Sequence, residues 1–420
     1  MDESPRDPYA DSLARYGAPL PPPPPQSPPP ESPGAMPPAP RRRTPRLVAA
    51  GTAVAVVAAA TGAGFALGRL GDHGEASAGS SPHGYSGQAP DQRTLPQNPF
   101  DGLPFTGPFG RRTAPFDSSS SGTTASGDQL TGLVRVAATL KYAGGKAAGT
   151  GMILSSTGEV VTNHHVVEGA TKLRVTVMTT GATYTASVVG TDAKDDVAVL
   201  QLQNASGLQT VTPDNDGISI GDPVTAVGDA GGSATTFTAS PGKILAQDED
   251  ITTNSQPGHP GEKLRGLIKI SSDVMSGDSG GATYDDEGEV IGMTTAASTG
   301  TNDVVGYAIP IAKVLTIADD LENGTQNTRY EYGSPAFLGL GLTGTGTRVA
   351  GVYAGTPAAR AGISAGDSVT RIGTTQVRTA KQLRDAVQAY APGDRVRIAW
   401  TDADGTPHIA SVTLMAGPIA

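Results

Sequence analysis

Met275-Ser-Gly-Asp-Ser-Gly-Gly281 is the stretch on which the reading of this chain turns. In a sequence with 56 glycines a serine among glycines is ordinarily a turn residue, so the motif gains meaning only from what lies upstream. A histidine in Thr162-Asn-His-His-Val-Val167 precedes Ser279 by 114 residues, and an aspartate in Asp195-Asp-Val-Ala-Val-Leu200 precedes it by 83. His, Asp, Ser is one of the chain orders in which a nucleophile, its base and the orienter of that base are assembled.

The residue types suit that chemistry. A serine hydroxyl is a weak nucleophile at neutral pH and needs a base that titrates near the operating pH, which histidine supplies. A carboxylate on the other ring nitrogen holds the imidazole in one tautomer and stabilises the imidazolium. Glycines beside the serine let the backbone turn sharply, so that the N–H groups of Gly277 and Ser279 can meet at a developing oxyanion. Two histidines adjoin, and on an extended segment neighbouring side chains face opposite sides, so only one can serve as base.

Five segments extend the pattern in order: Gly149-Thr-Gly-Met-Ile-Leu154, the run from Gly158 to Gly169, the run from Val189 to Leu200, Gly277-Asp-Ser-Gly-Gly281 and Gly306-Tyr-Ala-Ile-Pro310. On these segments the chain from about Leu130 to Gly324 resembles the trypsin-like serine proteases, specifically the HtrA (high-temperature-requirement) family. The resemblance implies two β-barrels with the site in the cleft between them. It places the base at His165, with His164 variable, the orienting carboxylate at Asp196, and the nucleophile at Ser279. Asp192 and Asp195 are then read as solvated turn residues. The resemblance also implies a homotrimer, for which no sequence signature is legible.

Local texture agrees with an all-β unit. From Leu130 short apolar runs alternate with Gly and Asx turns. Met152-Ile-Leu154 and Val160-Val161 flank Ser155-Ser-Thr-Gly158 as one hairpin, and Tyr284 and Val290-Ile291 flank Asp285-Asp-Glu-Gly288 as a second. Gln247 to Glu262 reads as a polar surface loop. Ile309 to Gly324 reads as an amphipathic helix with Pro310 in its first turn, Ile311, Val314, Leu315 and Leu321 on its apolar face, and Gly324 as its stop.

Three departures from the family pattern are legible, the first two of which bear on specificity and control. Asp273, six residues before Ser279, occupies the position that in trypsin-like enzymes floors the pocket for the side chain preceding the scissile bond. There it would favour Arg or Lys through charge-assisted hydrogen bonds; the competing reading is a rim carboxylate and a preference for small aliphatic side chains. Asp278 stands where HtrA relatives commonly carry Asn, and no Ile-Val-Gly-Gly-like activation sequence precedes Leu130, so activity without propeptide cleavage is expected. Asp229-Ala-Gly-Gly232 replaces the family's Asn-Pro-x-Gly turn.

Phe337 to Leu414 resembles a PDZ domain through Phe337-Leu-Gly-Leu340, Gly355-Thr-Pro-Ala-Ala-Arg-Ala-Gly362, Gly366-Asp-Ser-Val-Thr-Arg-Ile372 and a helix over Thr379 to Tyr390. The resemblance implies that the backbone of Phe337, Leu338, Gly339 and Leu340 receives a peptide C-terminal carboxylate while the peptide adds as a strand.

Ahead of these domains, residues 1–45 hold 16 of the 34 prolines, too polar and Pro-rich to offset the entropy of ordering. Leu47 to Leu67 is free of charge and, at about 1.5 Å per residue, long enough for a bilayer's hydrocarbon core. Arg41, Arg42, Arg43 and Arg46 flank its start, which puts the N-terminus in the cytoplasm and everything after residue 70 outside. A cleaved signal ending near Ala76-Ser-Ala78 is the competing reading. The fold class expected is thus mainly β: a chymotrypsin-like double β-barrel followed by a PDZ domain, preceded by a disordered Pro-rich tail and one transmembrane helix. Its divisions are a cytoplasmic tail 1–45, transmembrane helix 46–69, Gly/Ser/Pro-rich linker 70–128, protease domain 129–324, linker 325–334 and PDZ domain 335–417.

A net charge of −10 offers no broad basic surface for nucleic acid, and the absence of cysteine excludes disulfides, thiolate nucleophiles and thiolate metal sites. No metal or cofactor is expected. The function that follows is a membrane-anchored, extracytoplasmic serine endopeptidase whose partners are polypeptide substrates and peptide C-termini. Its alternative is a catalytically inactive protease fold acting as a PDZ scaffold or sensor.

Overall fold

The computed structural model describes residues 122–125, 127–232, 236–253, 263–297 and 305–420. The tail, the apolar run 47–67 and the linker up to residue 121 lie outside the described residues. Among those described, no helix is long and apolar enough to cross a membrane. The chain divides into two compact units, one running to Pro335 and taking back Pro418–Ala420, the other Ala336–Gly417.

In the first unit β1 (Thr123–Thr124) is followed by six strands of one barrel. These are β2 (Leu133–Leu140), β3 (Gly145–Ile153), β4 (Glu159–Thr162), β5 (Lys172–Val177), β6 (Thr183–Asp192) and β7 (Val197–Leu202). They pair in the order β6-β5-β2-β3-β4-β7, and β7 returns to β6 to close the ring. A second ring repeats the plan with β8 (Pro223–Gly228), β9 (Thr238–Thr252), β10 (Lys263–Ile270), β11 (Ala282–Tyr284), β12 (Val290–Ala297) and β13 (Gly306–Pro310). Its order is β9-β10-β13-β12-β11-β8, closed by the β8–β9 pair. Closure removes the unpaired edges that an open sheet would present.

Val197-Ala-Val-Leu200 is apolar without alternation because β7 is a wall shared by two cores. Ala198, Leu200 and Leu202 face the interior of the first barrel. Val197 and Val199 face a second cluster with Val227 and Met293 of the other barrel and with the helix Ile311–Glu322. Successive side chains on a strand point to opposite faces, so both sets must be apolar. Met152 and Ile153 on β3, and Val161 and Val160 on β4, divide in the same way.

Both expected hairpins form, β3 with β4 and β11 with β12. The helix buries Ile311, Val314, Leu315 and Leu321, as its spacing predicts. Two stretches differ from the sequence reading. Gln247–Thr252 is the end of β9, hydrogen-bonded to β10, rather than loop; residues 254–262 lie outside the described set. Residues 325–334, read as a linker, carry β14 (Tyr330–Tyr332), which pairs with the end of β6, Tyr330 opposite Asp192.

That strand lies over two carboxylates that the sequence alone placed in solvent. Asp192 and Asp195 are buried, not solvated: Asp192 is 0% exposed and Asp195 8%. Arg329, at the start of the β14 segment, reaches both carboxylates through its guanidinium, and Lys313 Nζ lies 2.7 Å from Asp195 Oδ1. A carboxylate withdrawn from water must be paired, and here the cations come from more than a hundred residues downstream.

The second unit begins with β15 (Ala336–Phe337), β16 (Leu340–Leu342) and β17 (Val349–Val352). It continues with β18 (Ser368–Ile372), β19 (Thr375–Gln376), β20 (Arg395–Thr401), β21 (Pro407–Thr413) and β22 (Met415–Ala416). A four-stranded sheet, β19-β18-β20-β21, carries most of the core, with Val369, Ile372, Ile398 and Trp400 buried. The helix Pro357–Ala361 starts with proline, is capped by the Thr356 hydroxyl accepting from Ala359 N–H, and stops at Gly362 with φ 86°. The helix Ala380–Gln388 is capped in the same way by Thr379, which accepts from Gln382 N–H.

Candidate active site

β4 ends at Thr162 and the chain turns into a one-turn helix, His164–Val167. The two histidines therefore part on a helix, where neighbours diverge by about 100°, and not on an extended segment as the sequence reading had it. His164 is buried with Nε2 3.1 Å from the Ala420 carbonyl oxygen; the same tail pairs Ile419 with Gly169 and Ala170 through backbone bonds. His165 turns to Asp196: its Nδ1 lies 2.9 Å from Oδ2 and 3.1 Å from Oδ1. The backbone N–H of His165 donates to Oδ1 at 3.0 Å, and Asn163 Nδ2 donates to the Asp196 carbonyl at 3.0 Å.

Asp196 sits just before β7 with φ 54°, a left-handed conformation that Asp tolerates better than most residues. Burial pushes its carboxyl upward, but His165 and the hydroxyl of Thr295 outweigh burial and hold it below the ordinary 3.8. Thr295 was not singled out from the sequence, yet it joins the site's two halves. Its Oγ1 donates to Asp196 Oδ2 at 2.5 Å, and its carbonyl accepts from Ser279 Oγ at 3.4 Å. Ser279 and Asp196 are thus bound to one residue of β12, and Asp196 to His165. The only signal in the sequence was a threonine pair, Thr294-Thr295, inside an otherwise apolar strand.

Backbone contacts fix the serine loop between β10 and β11. Thr150 on β3 of the other barrel donates its N–H to Ser279 O at 2.8 Å and its hydroxyl to Gly277 O at 2.9 Å. Ser276 O accepts from Gly231 N–H and Asp278 O from Gly281 N–H, both at 2.8 Å. In a planar trans peptide the N–H points opposite its carbonyl, so these two bonds turn the Gly277 and Ser279 N–H groups away from the protein side of the loop. Gly277 has φ 106°, and a Cβ there would lie 2.1 Å from Asp229 O. Only glycine fits that approach.

Asp278 is 4% exposed; its Oδ2 accepts from Met275 N–H at 2.8 Å, and its Oδ1 is buried without a hydrogen-bond partner. Burial pushes its carboxyl up to about 7, opposed by the Met275 N–H and aided by the charges of Asp229 and Asp273. The unfolded chain releases this proton near 3.8, whereas the folded protein holds it to about pH 7. Folding therefore binds a proton in that window, and this group's contribution to stability falls as pH rises from about 4 to about 7 and is level above. Asp278→Asn is expected to remove the slope, a difference on the order of a few kcal/mol between wild type and variant. Urea midpoints of both proteins at pH 4.5 and 7.5 check this; parallel changes in the two would disprove it.

Asp273 is half-buried in the same loop, close enough to repel Asp278. In the second unit Leu338 buries its side chain in the core, so only its backbone is left to meet a ligand. Phe337 belongs to β15, its ring centroid 6.3 Å from that of Tyr353; Gly339 turns at φ 87°, and Leu340 opens β16.

Residues 149–293 match the trypsin-like peptidase domain family, and residues 348–401 match the PDZ domain family. The chain is 32% identical over 290 residues to the serine protease Do-like HtrA of Lactococcus lactis subsp. cremoris, an alignment covering 63% of this chain and 70% of that protein. This chain belongs to the HtrA family. As a member it is a serine endopeptidase with a trypsin-like domain and a PDZ domain. Over 289 residues it is 30% identical to the serine protease PepD of Mycobacterium tuberculosis, covering 63% of this chain and 60% of PepD. It is also 30% identical over 286 residues to the periplasmic pH-dependent serine endoprotease DegQ of Escherichia coli, covering 63% and 59%. Among solved structures, the serine endoprotease from Yersinia pestis aligns with 24% identity and a TM-score of 0.38, covering 70% of this chain and 99% of that one. In this HtrA-family chain a buried carboxyl, Asp278, directly precedes Ser279.

Proposed function

We propose that this HtrA-family protease is anchored by residues 47–67 with its N-terminus cytoplasmic, and cleaves misfolded or exposed polypeptides outside the cytoplasm through an acyl-enzyme. The single observation that carries the catalytic assignment is Thr295, whose hydroxyl and carbonyl hold Asp196 and Ser279 together.

Ser279 Oγ attacks the scissile carbonyl carbon while His165, oriented by Asp196, takes the hydroxyl proton. The tetrahedral oxyanion is received by the N–H groups of Gly277 and Ser279. On collapse the C–N bond breaks and His165 returns the proton to the leaving amine; water, activated by the same imidazole, then releases the acyl group. Before substrate arrives, the hydroxyl rests on Thr295 O, and catalytic hydrogen bonds commonly tighten only in the complex. Asp273 selects the residue before the scissile bond, favouring Lys or Arg. The PDZ unit, spanning 335–417 beyond a protease domain at 129–324, receives peptide C-termini on the backbone of Phe337 to Leu340. A homotrimer is the assembly proposed.

Peptidyl diphenyl phosphonates carrying either Lys or Val beside the reactive phosphorus test the catalytic and specificity assignments together. Intact wild type is expected to be labelled at Ser279, fastest by the Lys probe, and Ser279→Ala not at all. Labelling of neither protein by either probe would favour the inactive scaffold. Labelling of wild type by the Val probe alone would remove Asp273 from the specificity pocket.

A further inference from the structure

In the turn from Asp229 to Gly232, the structure buries the Asp229 carboxylate completely, at 0% exposure. Its partner is Arg135 on β2, whose Nε lies 2.8 Å from Asp229 Oδ2. The guanidinium does more than neutralise the carboxylate. Nη2 of the same residue donates to Gly232 O at 2.8 Å, so Arg135 holds the first and last residues of the turn at once. The contact with Asp229 is one of opposite charges, Nε finding no acceptor in hydrogen-bond geometry, while the bond to Gly232 is directional.

The turn in question lies against the oxyanion loop. Gly231 N–H, at φ 75°, donates to Ser276 O, the bond that turns the Gly277 N–H outward. Asp229 N–H donates to Thr150 Oγ1 at 3.0 Å, and that hydroxyl in turn donates to Gly277 O. Both carbonyls flanking the Gly277 N–H are therefore held, directly or through Thr150, by the residues that Arg135 braces. Two consecutive glycines with positive φ, at 231 and 232, leave the turn little stiffness of its own.

We propose that Arg135 is a positioning residue for the oxyanion hole, acting through the Asp229–Gly232 turn to aim the Gly277 N–H. The inference rests on the assignment of Ser279 and Gly277 made above. Arg135 touches no reacting atom. Its loss lets the turn relax and the Ser276–Gly277 peptide rotate, which weakens transition-state binding and leaves ground-state substrate binding in place.

The test uses the full chain as wild type, Arg135→Lys, Arg135→Ala and the double variant Arg135→Ala/Asp229→Asn, each assayed for kcat and KM on a peptide ester. The inhibition constant of a peptidyl trifluoromethyl ketone, which forms a tetrahedral oxyanion on the serine, is measured alongside. Arg135→Ala is expected to lower kcat about 10²-fold to 10³-fold, the range lost with a single oxyanion donor. KM is expected to stay within about twofold, the pattern of an interaction made only in the transition state. The ketone should weaken in step with kcat, and the acid limb of the kcat/KM profile, set by His165, should not move. Arg135→Lys should recover only part of the loss. Should Arg135→Ala fold poorly because the buried Asp229 carboxylate loses this counter-charge, the double variant, with no charge at 229, carries the same expectation. Wild-type kcat in the double variant would reduce Arg135 to a mere counter-ion and overturn the inference, as would a rise in KM at constant kcat. An inactive wild type would instead refute the protease assignment itself, so the two failures are distinguishable.

Discussion

Asp196→Asn is expected to lower kcat about 10⁴-fold while leaving the protein folded, the size of loss found when an orienting carboxylate becomes an amide. The fold should tolerate the change because asparagine is isosteric and accepts a left-handed φ such as the 54° at this position. Chemistry should not tolerate it. Asp196 Oδ2 accepts from Thr295 Oγ1 and faces His165 Nδ1, and an amide NH2 turned to that nitrogen stabilises the tautomer whose Nε2 already carries a proton. Removing the negative charge also disfavours the imidazolium, so the acid limb of kcat/KM should shift to lower pH. Steady-state kinetics across pH 5 to 9 decide the matter; a loss under about tenfold would mean that Asp196 does not set the tautomer.

Arg329→Ala should be the most costly of the surface-proximal substitutions for stability. Removing it leaves Asp192, which is 0% exposed, with only the backbone N–H groups of Lys194 and Asp195 at Oδ1 against its charge, and leaves Asp195 with Lys313. Breaking one side of a buried pair costs about 3–5 kcal/mol, and the lower end applies here because Arg329 keeps 34% of its side chain in solvent. β14 should detach with it, since Arg329 immediately precedes that strand. Urea unfolding reads the loss, and Arg329→Ala/Asp192→Asn should regain much of it. A midpoint equal to wild type in Arg329→Ala would show that water reaches both carboxylates and that the pairs are decorative.

These two cases mark where the sequence was legible and where it was not. Asp196, His165 and Ser279 stand out in the sequence because each is embedded in a local motif whose spacing records its backbone: a strand end, a turn before an apolar strand, a glycine-bounded loop. The hairpins around Ser155–Gly158 and Asp285–Gly288 were legible for the same reason, as turn residues between apolar runs. Arg329, Lys313, Thr295 and Arg135 were not. Each acts on a partner more than 90 residues away, and nothing in its own neighbourhood distinguishes an arginine that pairs a buried carboxylate from one that lies in water. Asp192 closes β6 and Asp195 lies in the turn that follows, and both looked solvated because the chain that covers them, residues 329–332, returns from far downstream. The helical placement of His164 and His165 was missed because four residues are too few to show a period.

The seating of Ser279 and Thr295 on one barrel, with His165 and Asp196 on the other, has a further consequence for the cell. Neither half-molecule possesses a working blade. On the catalytic assignment proposed above, a nascent chain whose second barrel is still emerging holds Ser279 apart from His165, and it should gain reactivity toward a serine-directed phosphonate only once both barrels have formed.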